Sequence, residues 1–202
     1  LQINALLSKM VAKGCSYCFM EASSHAIHQN RTFGLSFVGA IFTNISHDHL
    51  DYHKTFDDYI LAKKQLFDQL SPDAFALVNK DDRHGVNMLH HCDAKHYTFA
   101  LKSMADFKAR ILENQFDGQL ININGKEVWT KIIGEFNAYN LLAIYAATIL
   151  LGEDELQALT SLSALKSAEG RFDVINSDTG VIGIIDYAHT PDALSNVLQT
   201  IL

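Results

Sequence analysis

Unbroken apolar runs alternate with helical stripes along this chain. Runs near 17–22, 37–43, 75–79 and 95–99 have the length and continuity of strands buried on both faces. Between them, the spacing predicts helices over 55–70 and 83–92. The first two runs, Tyr17 to Met20 and Phe37 to Thr43, end directly in polar residues: Glu21 after one, Asn44 to His53 after the other. Buried parallel strands deliver chemistry to their carboxyl ends in this way. The helix at 55–70 opens on Thr55 with Asp58 three residues on, a capping-box pattern. Its apolar face is Phe56, Tyr59, Ile60, Leu66, Phe67 and Leu70.

Alternation of strand and helix predicts an α/β fold with a parallel sheet flanked by helices. Residues 107–133 break the pattern. There, Leu120 to Ile123 and Lys126 to Ile133 flank Asn124-Gly125, a hairpin signal that predicts a small inserted antiparallel sheet. Helices are expected over 135–151 and 154–165, then strands at 174–175 and 181–185, then a helix begun by Pro191. The chain starts inside a helical pattern (Ile3, Leu6, Leu7, Met10, Val11) that stops at Gly14 and ends inside another, so it reads as a piece of a longer protein.

A net charge of −7 without a lysine-arginine cluster argues against nucleic-acid binding. The longest apolar run, Leu141 to Leu151, is too short to span a bilayer, and no segment has the pattern of a signal peptide. Cys15 and Cys18 form a C-x-x-C that runs into a strand instead of opening a helix, which is the wrong order for a thioredoxin-type site. All three cysteines, Cys92 included, are expected to be reduced, mostly buried thiols of a cytoplasmic protein.

Candidate chemistry is densest between Met20 and Phe67. Lys63 falls inside an apolar stripe, where burial lowers its pKa and favours the neutral amine. A neutral amine can take up carbon dioxide, and the carbamate would offer oxygen to a hard cation beside Glu21 and a histidine. The alternative is that Lys63 extends to the rim and pairs with Asp57 or another acid. The run His47 to His53 superficially resembles the metal loop of binuclear zinc hydrolases, with its last histidine one residue late. Ser23, His25, Gln29 and Arg31 form a polar set suited to an anion. Asn137 and Asn140 lie one turn apart, able to face a ligand together or to hydrogen-bond locally.

From Met20 onward the chain resembles the Mur ligases, ATP-dependent amide-forming enzymes of peptidoglycan precursor synthesis. The residues that carry the resemblance are Met20-Glu21-Ala22-Ser23-Ser24-His25 with Gln29 and Arg31, His49-Leu50-Asp51-Tyr52-His53 with Ala62-Lys63, Gly134-Glu135-Phe136-Asn137 with Asn140, Gly170-Arg171-Phe172, and Asp186-Tyr187-Ala188-His189-Thr190-Pro191. The last motif points to the member that adds the third peptide residue and argues against the related folylpolyglutamate synthetases. The resemblance implies a P-loop-NTPase-like central domain over 1–173 and the beginning of a C-terminal domain over 174–202. It implies ATP and Mg2+ as cofactors, with UDP-N-acetylmuramoyl-L-alanyl-D-glutamate and either meso-diaminopimelate or L-lysine as substrates. Residue by residue, it implies that Glu21, His49 and a carbamylated Lys63 hold magnesium, with Lys63 and His49 catalytic. Ser23, Gln29 and Arg31 would bind the muramoyl peptide, Asn137 and Asn140 the purine, Arg171 the ATP phosphates and Asp186 the ribose.

Three positions depart from the family pattern without touching a ligand: Lys54 stands where glycine is usual, Ala22 where valine is, and Asp173 where glutamate is. The sequence contains no G-x-x-x-x-G-K-[ST]. The resemblance therefore implies a phosphate cradle upstream of Leu1 and a piece that is inactive alone. Two other classes remain as alternatives: a zinc hydrolase built on His47 to His53, and a binding domain without catalysis.

Overall fold

A computed structural model of the chain describes residues 2–46 and 52–201. Among these, six strands form one sheet in the order β1-β2-β3-β4-β5-β6: Gly39–Phe42, Phe75–Asn79, Lys95–Ala100, Phe107–Gln115, Gly118–Ile123 and Lys126–Thr130. The ladders from β1 to β4 are parallel, and those joining β4, β5 and β6 are antiparallel. The antiparallel part thus continues the parallel sheet across β4. Its hairpin turns on Asn124 (φ 48°) and Gly125 (φ 91°), the left-handed pair that a two-residue hairpin requires.

All five residues of β2 are buried because helices cover both faces. Leu77 points into a core with Phe99, Ile121 and Ile123, closed by Leu141, Leu142 and Tyr145 of α4 (Glu135–Leu150) and Leu159 and Leu162 of α5 (Glu155–Ala164). Its neighbours Ala76 and Val78 point the other way, against Ile60 and Phe67 of α3 (Phe56–Asp68) and Met88. At the sheet edge, Gly39 is overlain by the Phe75 ring, which a Cβ would meet at 2.3 Å. The α3 N-terminus matches its sequence signal: Thr55 Oγ1 accepts from the Asp58 amide at 3.1 Å.

Two expected elements take another form. Residues 17–22 are extended but lack a sheet partner among the described residues, with Tyr17 48% and Phe19 75% exposed. An apolar run supplies no ladder by itself; here the Tyr17 hydroxyl instead donates to Glu153 Oε1 at 2.7 Å, beyond the end of α4. The helix expected over 83–92 is reduced to one 3-10 turn, Val86–Leu89. Asp82 Oδ1 captures the His84 N–H at 2.8 Å, and Gly85 packs so closely on the Asn79 carbonyl that a Cβ would lie 2.0 Å from it, so local bonds displace the helix. The cysteines also differ from expectation. All three are free and Cys92 is buried, but Cys15 and Cys18 are exposed because their segment lies on the surface.

At the amino end, α1 (Gln2–Ala12) stops at Gly14 (φ 78°). At the other end, β7 (Asp173–Asn176) and β8 (Ile182–Ile185) form a separate antiparallel pair followed by α6 (Pro191–Ile201). A small core of Ile133, Phe172 and Val197, flanked by Phe136, Val174 and Ile184, ties this end to the start of α4. No helix among the described residues is long and apolar enough to cross a membrane.

Candidate active site

Three of the residues singled out in the sequence, Glu21, Ser23 and Lys63, meet beside the residues that follow β1. Glu21, Ser23, Ser24, Thr43, Asn44, Ile45, Ser46, Tyr59 and Lys63 line one polar pocket of about 290 Å³. Glu21 and Ser23 come from the segment leading into α2 (Ser24–His28), where Ser23 is the N-cap and its hydroxyl accepts from the Ala26 amide at 3.2 Å. Lys63 comes from α3, half-buried, with Nζ 5.3 Å from the centroid of the Tyr59 ring one turn earlier. A carboxylate, hydroxyls, an amide oxygen and an amine that could be carbamylated make an oxygen-rich set, which fits a hard cation such as magnesium. His49 and the rest of 47–51 lie outside the described residues. Among the described residues, no group of three or more His, Cys, Asp or Glu side chains is arranged to hold a metal. Of the histidine run, His53 is described. It is 5% exposed, its Nε2 lies 2.8 Å from Ser24 Oγ and its ring stacks on Tyr59, so it joins α2 to α3.

Beside this pocket, Arg31 Nη2 donates to Gln29 Oε1 at 2.6 Å, and Gln29 Nε2 donates to the Tyr52 hydroxyl at 3.3 Å. The same hydroxyl lies 2.9 Å from His28 Nδ1. Ser23, Gln29 and Arg31 therefore occupy one turn and its exit, with Arg31 exposed and able to fork onto an anion.

A second network crosses from β1 to α4. Asn79, at the end of β2, donates to the Thr43 carbonyl at 2.9 Å and accepts from the Asp81 amide at 3.0 Å. Asp82 Oδ2 accepts from the Ile45 amide at 3.1 Å. Asp81 receives the backbone N–H groups of Leu101, Lys102 and Ser103 and the Tyr139 hydroxyl, each at 2.8 Å. Burial alone would raise this carboxyl, but the Ser103 hydroxyl, the Lys102 amide and the Tyr139 phenol outweigh it and hold Asp81 well below the ordinary carboxylate range. Burial, then the Asp81 charge, pushes Tyr139 far above the ordinary phenol value. Neither residue stands out in the sequence, yet Asn79-Lys80-Asp81-Asp82 is a polar run at a strand end, the same signal that drew attention to Glu21.

Asn137 and Asn140 are brought together at the start of α4: Asn137 donates to the Ile133 carbonyl at 2.8 Å, and Asn140 approaches Asn137 Oδ1 at 3.4 Å. The neighbouring Phe136 ring lies 6.1 Å from that of Phe172, which places the 170–172 turn beside the two asparagines. That turn is unusual, since Phe172 is 1% exposed at φ 48°, a costly conformation for a bulky residue. Asp186 holds it. Oδ2 accepts the Phe172 amide at 2.8 Å and Oδ1 the Ala188 amide at 2.7 Å. Arg171 lies 5.5 Å over the ring of Tyr187, the residue that follows Asp186.

Comparison with known proteins adds to this geometry. Residues 1–148 match the family model described as Mur ligase middle domain. A UDP-N-acetylmuramoyl-L-alanyl-D-glutamate--2,6-diaminopimelate ligase of Cytophaga hutchinsonii is 52% identical over 201 residues, covering 100% of this chain and 41% of its own length. The protein of the same description from Parabacteroides distasonis is 53% identical with the same coverage. A solved structure of a ligase of this description aligns over 100% of this chain and 43% of its own, with a TM-score of 0.85 and 33% identity. The chain thus spans about two fifths of the length of the curated relatives it matches.

Proposed function

Because the chain belongs to the Mur ligase family, we propose that it is part of an enzyme that joins 2,6-diaminopimelate to UDP-N-acetylmuramoyl-L-alanyl-D-glutamate at the expense of ATP. The observation that carries this reading is that Glu21 and Lys63, far apart in sequence, line one polar pocket. The choice of diaminopimelate over lysine follows the descriptions of the relatives. We assign 1–173 to the central ATPase domain and 174–202 to the start of the next, at the point where β7 and β8 leave the main sheet. ATP and a nucleotide-linked precursor place the reaction in the cytoplasm.

In this mechanism the D-glutamyl carboxylate attacks the γ-phosphorus of ATP, ADP leaves, and an acyl phosphate forms. The diaminopimelate amine then adds to the acyl carbon, and collapse of the tetrahedral intermediate expels inorganic phosphate. Ser23, Gln29 and Arg31 hold the muramoyl peptide so that its carboxylate meets the phosphate in line. Asn137 and Asn140 contact the purine and Arg171 the phosphates. Asp186 reaches the ribose with the lone pairs left over from its two backbone contacts. Glu21, His49 and carbamylated Lys63 would hold magnesium, which when bound offsets the charge on the transferring phosphoryl group. The lysine must be carbamylated for this, because a free ammonium would repel the ion.

The test is phosphate release from ATP by the full-length protein, supplied with the muramoyl dipeptide and either diaminopimelate or lysine. Release that requires the dipeptide and diaminopimelate establishes the reading. Release with lysine alone reassigns the amino acid, and a folded protein that releases phosphate with neither overturns the ligase. Residues 1–202 alone, without a Walker-type loop in their sequence, are expected to release none.

A further inference from the structure

We infer that Tyr52 and His28 are positioning residues that hold Gln29 and Arg31 ready for the anionic muramoyl peptide. This rests on the assignment of Gln29 and Arg31 to that substrate. The helix α2 is a single turn, Ser24–His28, and the chain leaves it through Gln29 as C-cap and Asn30 at φ 54°. Gln29 and Arg31 are both exposed, so packing does not restrict their rotamers. Long exposed side chains lose rotamer freedom when they bind a ligand, unless something has already ordered them.

What orders them is a directional chain of hydrogen bonds. The Arg31 guanidinium takes the carbonyl end of the Gln29 amide, which turns its NH2 end to the Tyr52 hydroxyl. Having accepted there, the hydroxyl has its own proton to give to His28 Nδ1, 2.9 Å away. Tyr52 is in turn anchored: its ring packs 4.1 Å from His25 and 4.8 Å, edge to face, from His53, which is buried against Ser24. Order therefore runs from a buried contact between α2 and α3 outward to an exposed cation. One guanidinium nitrogen is committed to Gln29, and the remaining N–H groups are available to a carboxylate or phosphate.

The experiment measures KM for UDP-N-acetylmuramoyl-L-alanyl-D-glutamate in the full-length enzyme at saturating ATP and diaminopimelate. Tyr52→Phe keeps the ring and deletes only the hydroxyl. It is expected to raise this KM about tenfold, with kcat and the KM for ATP held within about twofold, as loss of one ordering hydrogen bond predicts. His28→Ala acts in the same direction and less. In a Gln29→Ala background, Tyr52→Phe adds nothing, because its route to Arg31 is already cut. If Gln29→Ala and Arg31→Ala raise KM while Tyr52→Phe does not, or if the Tyr52 and Gln29 effects simply add, the positioning role is refuted and the substrate assignment stands. If Arg31→Ala leaves KM unchanged, it is the substrate assignment that falls.

Discussion

Asp81 accepts from three backbone amides and the Tyr139 hydroxyl, whereas Glu21, exposed on the rim of the polar pocket, accepts no hydrogen bond among the described residues. Both are acids that follow a run of strand-like residues. Their surroundings separate them. Asp81 ties the 101–103 backbone to α4 and has its charge answered inside the molecule, so its work is to hold the sheet end together. The lone pairs of Glu21 face solvent, and the proposed function assigns them to a magnesium ion. Gln119 is a third case, fully buried on β5 with neither amide atom paired to the protein. The comparison is thus between polar groups satisfied by the fold, polar groups that the proposed function assigns to a ligand, and one that the fold leaves unanswered.

Replacing a ligand-facing group should cost activity and spare stability. Glu21→Ala and Lys63→Ala in the full-length enzyme are each expected to lower kcat about a thousandfold. Glu21→Ala, an exposed change, should shift the unfolding free energy by no more than about 0.5 kcal/mol. Paired kinetics and urea titrations check both halves, and a large loss of stability would place Glu21 in the scaffold with Asp81.

Asp81→Ala should show the reverse emphasis, costing about 3 kcal/mol of stability because it strips the partner from three backbone amides and a phenol. Urea midpoints at neutral pH measure it. The acid limb sharpens the point. Asp81 has a depressed folded pKa, so its stabilisation is complete above the unfolded carboxyl value of about 4 and is lost as pH falls from there toward the folded value. Asp81→Asn should therefore flatten the loss of stability below about pH 4 relative to the parent chain. An unchanged acid limb would show that Asp81 is not the linked group.

The smallest expected effect belongs to Gln119. An apolar replacement of similar shape, Gln119→Met, removes two unpaired buried polar atoms and should stabilise the chain by about 1 kcal/mol. Destabilisation in the same titration would mean that the amide has a partner, such as a buried water.

Much of this was legible before any coordinates. The two core faces follow from the uninterrupted run Phe75 to Asn79, and the hairpin follows from Asn124-Gly125, whose left-handed pair only a few residue types accept. The α3 N-terminus is written in Thr55 and Asp58. Glu21, Ser23 and Lys63 were singled out from their residue types and the family pattern, and the fold places them around one pocket. Asp81, Tyr139, Tyr52 and His28 were not, because each is ordinary in its own neighbourhood. Asp81 matters through Tyr139, and Tyr52 through Gln29, partners that sequence spacing does not pair.

The sequence by itself determined the local elements: periodicity, caps and turn residues act through contacts a few positions apart, and those interactions survive whatever the rest of the chain does. It also determined which chemistries were available at the strand ends. The tertiary structure decided the rest. It left 17–22 on the surface, since a strand exists only where another backbone pairs with it, and it reduced 83–92 to one turn, since Asp82 and Gly85 met neighbours that a helix excludes. Likewise it chose which carboxylate would be saturated, because Asp81 after β2 meets its donors from the 101–103 loop and α4 only after the sheet has formed.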